Sequence, residues 1–343
     1  MSLLSDLGAT SPVVAAPMAG GPSTPDLVLA AAAAGSFGFV AAGYLDATAL
    51  GQQIETVAAA TDLYGVNLFA PHPVAVDPAA YSTYRDLLGP ETERRGLDPT
   101  ALPEHPVEDD DAWQDKVDVL VAHPVPAVSF TFGLPDAMTV AALHRAGSLL
   151  VQTVTSADEA RAAAGAGMDA VVVQASCAGG HSGTFTPALD PADRPLTDLV
   201  AEVRAAVRLP VLAAGGLGTA EQVSGALGAG AEGAVVGTAL LLADEAGTSA
   251  AHRAGLADHA RETAVMRAFT GRPARGLRNR FSEQYDGSAP TGYPALHHLT
   301  RPLRRAAAAT GDPDGVNLWA GTGFRGARSA PAAQILHALA GSV

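Results

Sequence analysis

"GAGMDAVVVQ", residues 165–174, and its echo "GAGAEGAVV", residues 228–236, decide how the fold is read. Each passes from the end of an Ala-rich helix, through a glycine turn with an acidic residue, into a buried valine strand. Repeated βα units produce this pattern, although convergent turn chemistry would do so too. Working outward, similar short runs recur. The strand candidates are Val13–Ala16, Gly38–Ala41, Gly65–Asn67, Ala127–Phe130, Leu149–Val154, Ala170–Gln174, Pro210–Ala214 and Ala234–Val236. They are nearly all apolar, as strands buried on both faces must be. Helical patterns at Asp26–Ala34, Ser156–Ala164, Leu196–Val207 and Ala220–Leu227 lie in the gaps. Strand alternating with helix predicts an α/β protein with a parallel sheet. Eight such strands predict a closed TIM-type (β/α)8 barrel.

Two segments break the alternation. Residues 70–125 are too long for a plain βα connection and predict a helical excursion with polar loops. Residues 243–315 carry ten of the twenty arginines. They predict a smaller, mostly helical second domain inserted after strand eight, lying over the barrel mouth. The barrel is thus expected over 1–242, the lid domain over 243–315, and a segment packing back on the barrel over 316–343. Within that segment, 329–343 is expected to be the closing helix.

The bulk chemistry narrows the function classes. Hydrophobic residues make up 48% and charged residues 16%, enough apolar material for a well-buried core. The formal net charge of -14 would repel nucleic acid and anionic membranes, so neither is expected as a partner. Lys116 is the only lysine and no basic residue precedes Arg85, so no P-loop lysine is present. Cys177 is the only cysteine, which excludes an intrachain disulfide; with no basic region at the start, the expected location is cytoplasmic. The uncharged stretch Leu27–Leu45 imitates a membrane span, but its Ala/Gly composition fits a helix, a turn at Gly35 and a buried strand.

In an eight-stranded barrel the chemistry sits at the C-terminal strand ends. There the chain places "PMAGG" (17–21), Asn67, Gln174 leading into "CAGGHSG" (177–183), "GGLGT" (215–219) and "GTAL" (237–240). Glycine turns after strands seven and eight aim backbone N–H groups at an anion and predict a phosphate site, with Thr219 and Thr238 offering hydroxyls. His181, in the glycine-rich loop beside that site, is the candidate for moving a proton. "GAGAEG" (228–233) precedes a strand and "GTGFRG" (321–326) has no second strand after it, so neither is a dinucleotide fingerprint. The ten histidines show no metal-ligand spacing, and no metal is expected. His297 and His298, being adjacent, should diverge on a helix. "EDDD" (108–111) reads as a solvated loop, and Cys177 as a small core residue.

These residues resemble the nitronate monooxygenase family, formerly called 2-nitropropane dioxygenases. The likeness runs through "APMAGG" (16–21), "GVNLF" (65–69), "VSFTFGLP" (128–135), "QTVTSADEARAAAGAGMDAVVVQASCAGGHSGTF" (152–185), "PVLAAGGLGTAEQVSGALGAGAEGAVVGTALL" (210–241), "GRPARGLRNRF" (271–281) and "NLWAGTG" (317–323). It implies an FMN-dependent barrel enzyme that oxidises alkyl nitronates, or nitroalkanes, with O₂ to a carbonyl compound and nitrite. It further implies that backbone near Met18 lies along the flavin ring and that Asn67 and Gln174 hydrogen-bond it. Gly179 and Gly180 would line it, and Gly216, Gly237 and Thr238 would hold its phosphate. His181 falls on the family's active-site histidine. Tyr285 and Tyr293 are candidates for covering the substrate. The family loop usually reads Q-G-x-E-A-G-G-H-R-G; this chain has Ala175, Cys177 and Ser182 where that pattern has glycine, glutamate and arginine.

The same scaffold also resembles FMN-dependent enoyl-acyl-carrier-protein reductases and NADH:quinone reductases, which would need NAD(P)H. A flavin-binding protein without activity is a third reading, and a homodimer is left open.

Overall fold

The computed structural model describes residues 3–341; positions 1, 2, 342 and 343, at the ends of the expected barrel and tail, lie outside the described residues. Eight parallel strands close into a barrel. They are β1 (Val13–Ala15), β2 (Phe37–Ala41), β3 (Tyr64–Ala70), β4 (Ala127–Phe132), β5 (Leu149–Val154), β6 (Ala170–Gln174), β8 (Val211–Ala214) and β9 (Gly233–Val236). The pairing of Val13 with Ala234 and of Ala15 with Val236 joins the last strand to the first. Every strand expected from the sequence is present, most within a residue or two of its expected bounds.

The repeat at 165–173 and 228–236 is structural. Gly167 and Gly230 both take left-handed backbone, at φ 88° and 106°, directly after their helices. Asp169 and Glu232 then each donate a backbone N–H to the carbonyl of a neighbouring strand residue, Leu150 and Val211. Glycine adopts this conformation without a Cβ penalty, which is why the turn recurs.

Alternation along the strands divides the core. Val14, Phe37, Phe39, Val151, Leu212 and Val235 fill the barrel lumen, and Leu3 and Leu4 of the first helix join them. Val13, Ala15, Val40, Val66 and Val173 point outward under the helices. The Leu27–Leu45 stretch resolves into helix Pro25–Ala33, a turn at Gly35 and β2. No helix among the described residues is long and apolar enough to cross a membrane. Helix Ala332–Ala340 packs against Pro25–Ala33 and Ala220–Gly228, where the closing helix was expected.

The layer over the barrel mouth differs from the expected helical insertion. Beside helices Ala250–Ala257, Arg280–Tyr285 and Ala295–Ala309 it contains a hairpin, β10 (Thr263–Met266) and β11 (Ala274–Leu277). This hairpin takes a two-residue strand, β7 (Gly180–His181), as its third member. The layer is also not built from residues 243–315 alone. Val76, Tyr81, Tyr84, Leu88 and Leu102 of the excursion share one hydrophobic cluster with Met266, Phe269, Phe281 and Leu296. The two irregular segments bury their apolar faces on each other, a long-range pairing that local sequence pattern does not report.

Candidate active site

A cavity of about 890 Å³ opens at the C-terminal ends of the strands. Met18, Asn67, Gln174, Gly179, Gly180, His181, Gly216, Gly237, Thr238 and Tyr293 all line it. Tyr285 does not. Its ring is buried in the hydrophobic cluster of the covering layer, 4.8 Å from that of Phe281.

His181 is held from two directions. Its backbone pairs with Ala274 of β11, and its Nε2 lies 2.9 Å from the Thr270 hydroxyl. That hydroxyl also points at the Arg272 carbonyl, 3.4 Å away. If its proton goes to the carbonyl, its oxygen accepts Nε2–H and the Nδ1 lone pair is left as the base. The rings of Phe132, Tyr293 and Trp319 surround the imidazole edge-on, with centroids 5.8, 5.8 and 5.3 Å away. Burial pushes the His181 pKa down to about 3, helped by the positive fields of Arg272 and Arg304. The imidazole is therefore neutral at ordinary pH.

The polar strand ends are partly occupied by their own scaffold. Gln174 Nε2 donates to the His181 carbonyl at 3.1 Å, and its Oε1 accepts the Gly183 N–H at 2.7 Å. It braces the histidine loop across its base. Asn67 Nδ2 donates to the hydroxyls of Ser129 and Thr131 at 2.9 and 3.1 Å; no donor among the described residues takes its Oδ1.

The glycine loops after β8 and β9 face the same cavity. Gly216 has φ 70°, and no acceptor among the described residues takes the backbone N–H of Gly216, Gly237 or Thr238. Thr238 Oγ1 accepts the Gly321 N–H at 2.9 Å. Thr219 does not line the cavity, contrary to expectation. Its hydroxyl closes the capping box of helix Ala220–Gly228, satisfying an orphan N–H of that helix. A Cβ on Gly179 would lie 2.5 Å from the backbone nitrogen of Gly321, so close passage of the C-terminal segment is what requires this glycine.

Other residues complete the cavity without having been foreseen. Tyr44 stacks on His297 with centroids 4.5 Å apart and planes 4° from parallel, and Tyr293 meets the same His297 ring edge-on. Tyr44 and Phe132 sit in left-handed backbone at φ 68° and 85°. Such conformations cost roughly 1–3 kcal/mol each and cluster at functional sites. Arg304 donates to the Thr300 hydroxyl, Asn317 Oδ1 and the His297 carbonyl, bringing its positive charge to the cavity wall. His297 and His298 do not diverge as expected: their rings meet edge-to-face with centroids 5.3 Å apart, and both reach the cavity. The acidic run is no free loop. Asp109 pairs with His298 at 2.6 Å, while Asp111 pairs with Lys116 at 2.7 Å and accepts the Tyr44 N–H at 2.9 Å. Cys177 is half-buried, and burial raises its thiol pKa, which suits a packing role. Among the described residues no three His, Cys, Asp or Glu side chains converge as a metal site.

The family profile described as nitronate monooxygenase matches residues 1–341. A protein described as a probable nitronate monooxygenase, from Staphylococcus saprophyticus, is 35% identical over 318 residues, covering 90% of this chain and 88% of that protein. The crystal structure of a nitroalkane oxidase from Streptomyces ansochromogenes superposes with a TM-score of 0.91 at 43% identity, covering 99% of this chain and 97% of the other. FabK from Thermotoga maritima superposes at 0.75 with 24% identity, covering 99% and 94%, a likeness of fold. This chain is an oxidoreductase of the nitronate monooxygenase family.

Proposed function

We propose that the protein oxidises alkyl nitronates with O₂ to a carbonyl compound and nitrite, using FMN bound at the barrel mouth. The free N–H groups of Gly216, Gly237 and Thr238 suit the cofactor's phosphate, since they lie on two glycine loops at one end of the cavity. Asn67 Oδ1 and the backbone near Met18, Gly179 and Gly180 would contact its ring system. A cavity of about 890 Å³ is ample for a cofactor with a small substrate beside it. When bound, FMN would carry electrons from substrate to O₂; the protein's part is to position and polarise.

What supports the substrate choice is the setting of His181: three aromatic rings enclose it and Arg304 brings a positive charge to the same cavity wall, so its pKa is held low. A base that weak removes a carbon-bound proton slowly. A nitronate has already lost that proton. Its negative charge answers the positive fields of Arg304 and Arg272, and the imidazole serves it by orientation. Neutral nitroalkanes, which need His181 as base, should therefore be the poorer substrates.

The test is oxygen consumption by the yellow, FMN-loaded protein on matched nitronate and nitroalkane, with anaerobic NAD(P)H as control. Nitronate turnover exceeding nitroalkane turnover supports the reading. Rapid bleaching of the flavin bands by NAD(P)H, with nitronates inert, would replace it with a reductase.

A further inference from the structure

One tripeptide, Thr270-Gly271-Arg272, meets the histidine strand in three ways. Thr270 bonds the imidazole. Arg272 donates to the carbonyls of Ser182, at 3.3 Å, and Thr184, both just beyond His181. Its guanidinium carbon also lies 4.1 Å above the Phe132 ring, one wall around the imidazole.

Arg272 is 0% exposed, and no carboxylate among the described residues comes within ion-pair distance of it. Glu159, an acid whose field it feels, is fully engaged with the N–H groups of Thr155 and Phe185 and the Thr155 and Thr184 hydroxyls. Nη1 has no hydrogen-bond partner among the described residues. Sealing an unpaired guanidinium inside a protein costs several kcal/mol, whereas an apolar side chain of similar length would fill the space at no such cost. A buried group that breaks this rule beside a reactive cavity is a candidate for function.

We propose that Arg272 is a positioning residue for His181: from behind the cavity wall it clamps the strand that carries the histidine and supplies a positive charge beside it that no carboxylate among the described residues pairs by direct contact. This deepens the nitronate reading and rests on it for the consequence in turnover. The groups facing the imidazole are Thr270, Phe132, Tyr293 and Trp319, and the charges of Arg272 and Arg304 reach it. His297 is close enough for the two histidines to interact. No carboxylate stands among these groups to cancel the field.

The test uses histidine-labelled, FMN-loaded protein, with the His181 ring resonance assigned through His181→Asn. Its titration and the steady-state constants on a nitronate are followed in Arg272→Met and Arg272→Lys. With Met, protonation should set in at higher pH, since removing a neighbouring cation eases it, and kcat should fall about tenfold or more. With Lys, the charge remains but the fork to two carbonyls is lost. The titration should stay depressed while kcat falls. A folded Met variant with wild-type titration and kcat would overturn the proposal. If the Met variant does not fold, a Lys variant with undiminished kcat does the same. The titration reads Arg272 whether or not nitronates are turned over, so failure of the proposed activity is separately visible.

Discussion

His181 Nε2 and the Thr270 hydroxyl oxygen lie 2.9 Å apart, and the same hydroxyl leans on the Arg272 carbonyl. This relay selects which ring nitrogen bears the proton. Thr270→Val keeps the shape but deletes the acceptor. Loss of one such bond is worth about 1–1.5 kcal/mol, so kcat/KM on a nitronate should fall about tenfold. Thr270→Ser should recover most of it. Equal kcat/KM for Val and wild type would remove the relay from the mechanism.

Four histidines are held below their ordinary pKa, His72 the least buried of them, and the three deeper ones weigh most on the acid stability. Burial holds His181 down to about 3, His252 to about 4 and His297 well below its ordinary value. The unfolded chain takes up these protons near pH 6.5, and the folded chain does not. Stability is therefore complete above that pH and falls as pH drops from about 6.5 toward 4. The slope approaches about 1.4 kcal/mol per pH unit for each fully buried histidine. His181 should contribute less, because it faces the cavity and water screens it. Urea midpoints measured from pH 7 to 4.5 should fall steadily, and His252→Leu should flatten the curve. A flat wild-type profile would contradict the assignment.

Two adjacent glycines should respond differently to alanine. At Gly179 a Cβ would sit 2.5 Å from Gly321 N and 2.6 Å from the Ala320 carbonyl carbon. Both are backbone, so no side-chain rotation relieves the clash. Gly179→Ala should cost about 3 kcal/mol, at the upper end for overpacking, and weaken FMN retention. At Gly180 no atom lies within 4 Å of the added carbon, but φ is 80°. Only backbone strain of about 1–2 kcal/mol is expected there. Thermal unfolding of both variants would show the order; the reverse order would contradict it.

The barrel was legible because its strands are valine runs and its turns need glycine, both local properties. The loops at the ends of β8 and β9 were legible for the same reason. What escaped depends on contacts between distant residues. A two-residue strand at Gly180–His181 has no pattern of its own and exists because β11 passes beside it. Tyr44 and His297 stack across 253 positions of sequence, and neither looks unusual in its own window. Thr219 was misjudged for a different reason. A threonine beside a glycine loop suits a phosphate and a helix cap equally, and here Gln222 three residues on completes a capping box. Tyr285 and Tyr293 are alike in sequence, and only packing separates them: one ring is buried inside the covering layer and the other stands at the cavity wall.

The acidic loop supports the cavity wall through the backbone of Tyr44. Lys116, 1% exposed, pairs with Asp111, which in turn accepts the N–H of Tyr44, the residue stacked on His297. Asp111 and Ala112 both hold left-handed backbone, at φ 59° and 52°, so the turn needs an anchor. Removing one partner of a buried pair leaves a charge uncompensated and costs about 3 kcal/mol. Lys116→Met should therefore destabilise the protein by about that amount and raise KM for the nitronate more than it lowers kcat, since Tyr44 loses its support. Adding Asp111→Asn to Lys116→Met removes the stranded charge and should restore part of the stability. KM should stay high, because a neutral amide in place of the carboxylate holds the Tyr44 N–H less firmly. Urea unfolding and steady-state kinetics on the single and double variants separate the two effects. A double variant no more stable than Lys116→Met would show that the pair's charge is not what anchors the loop.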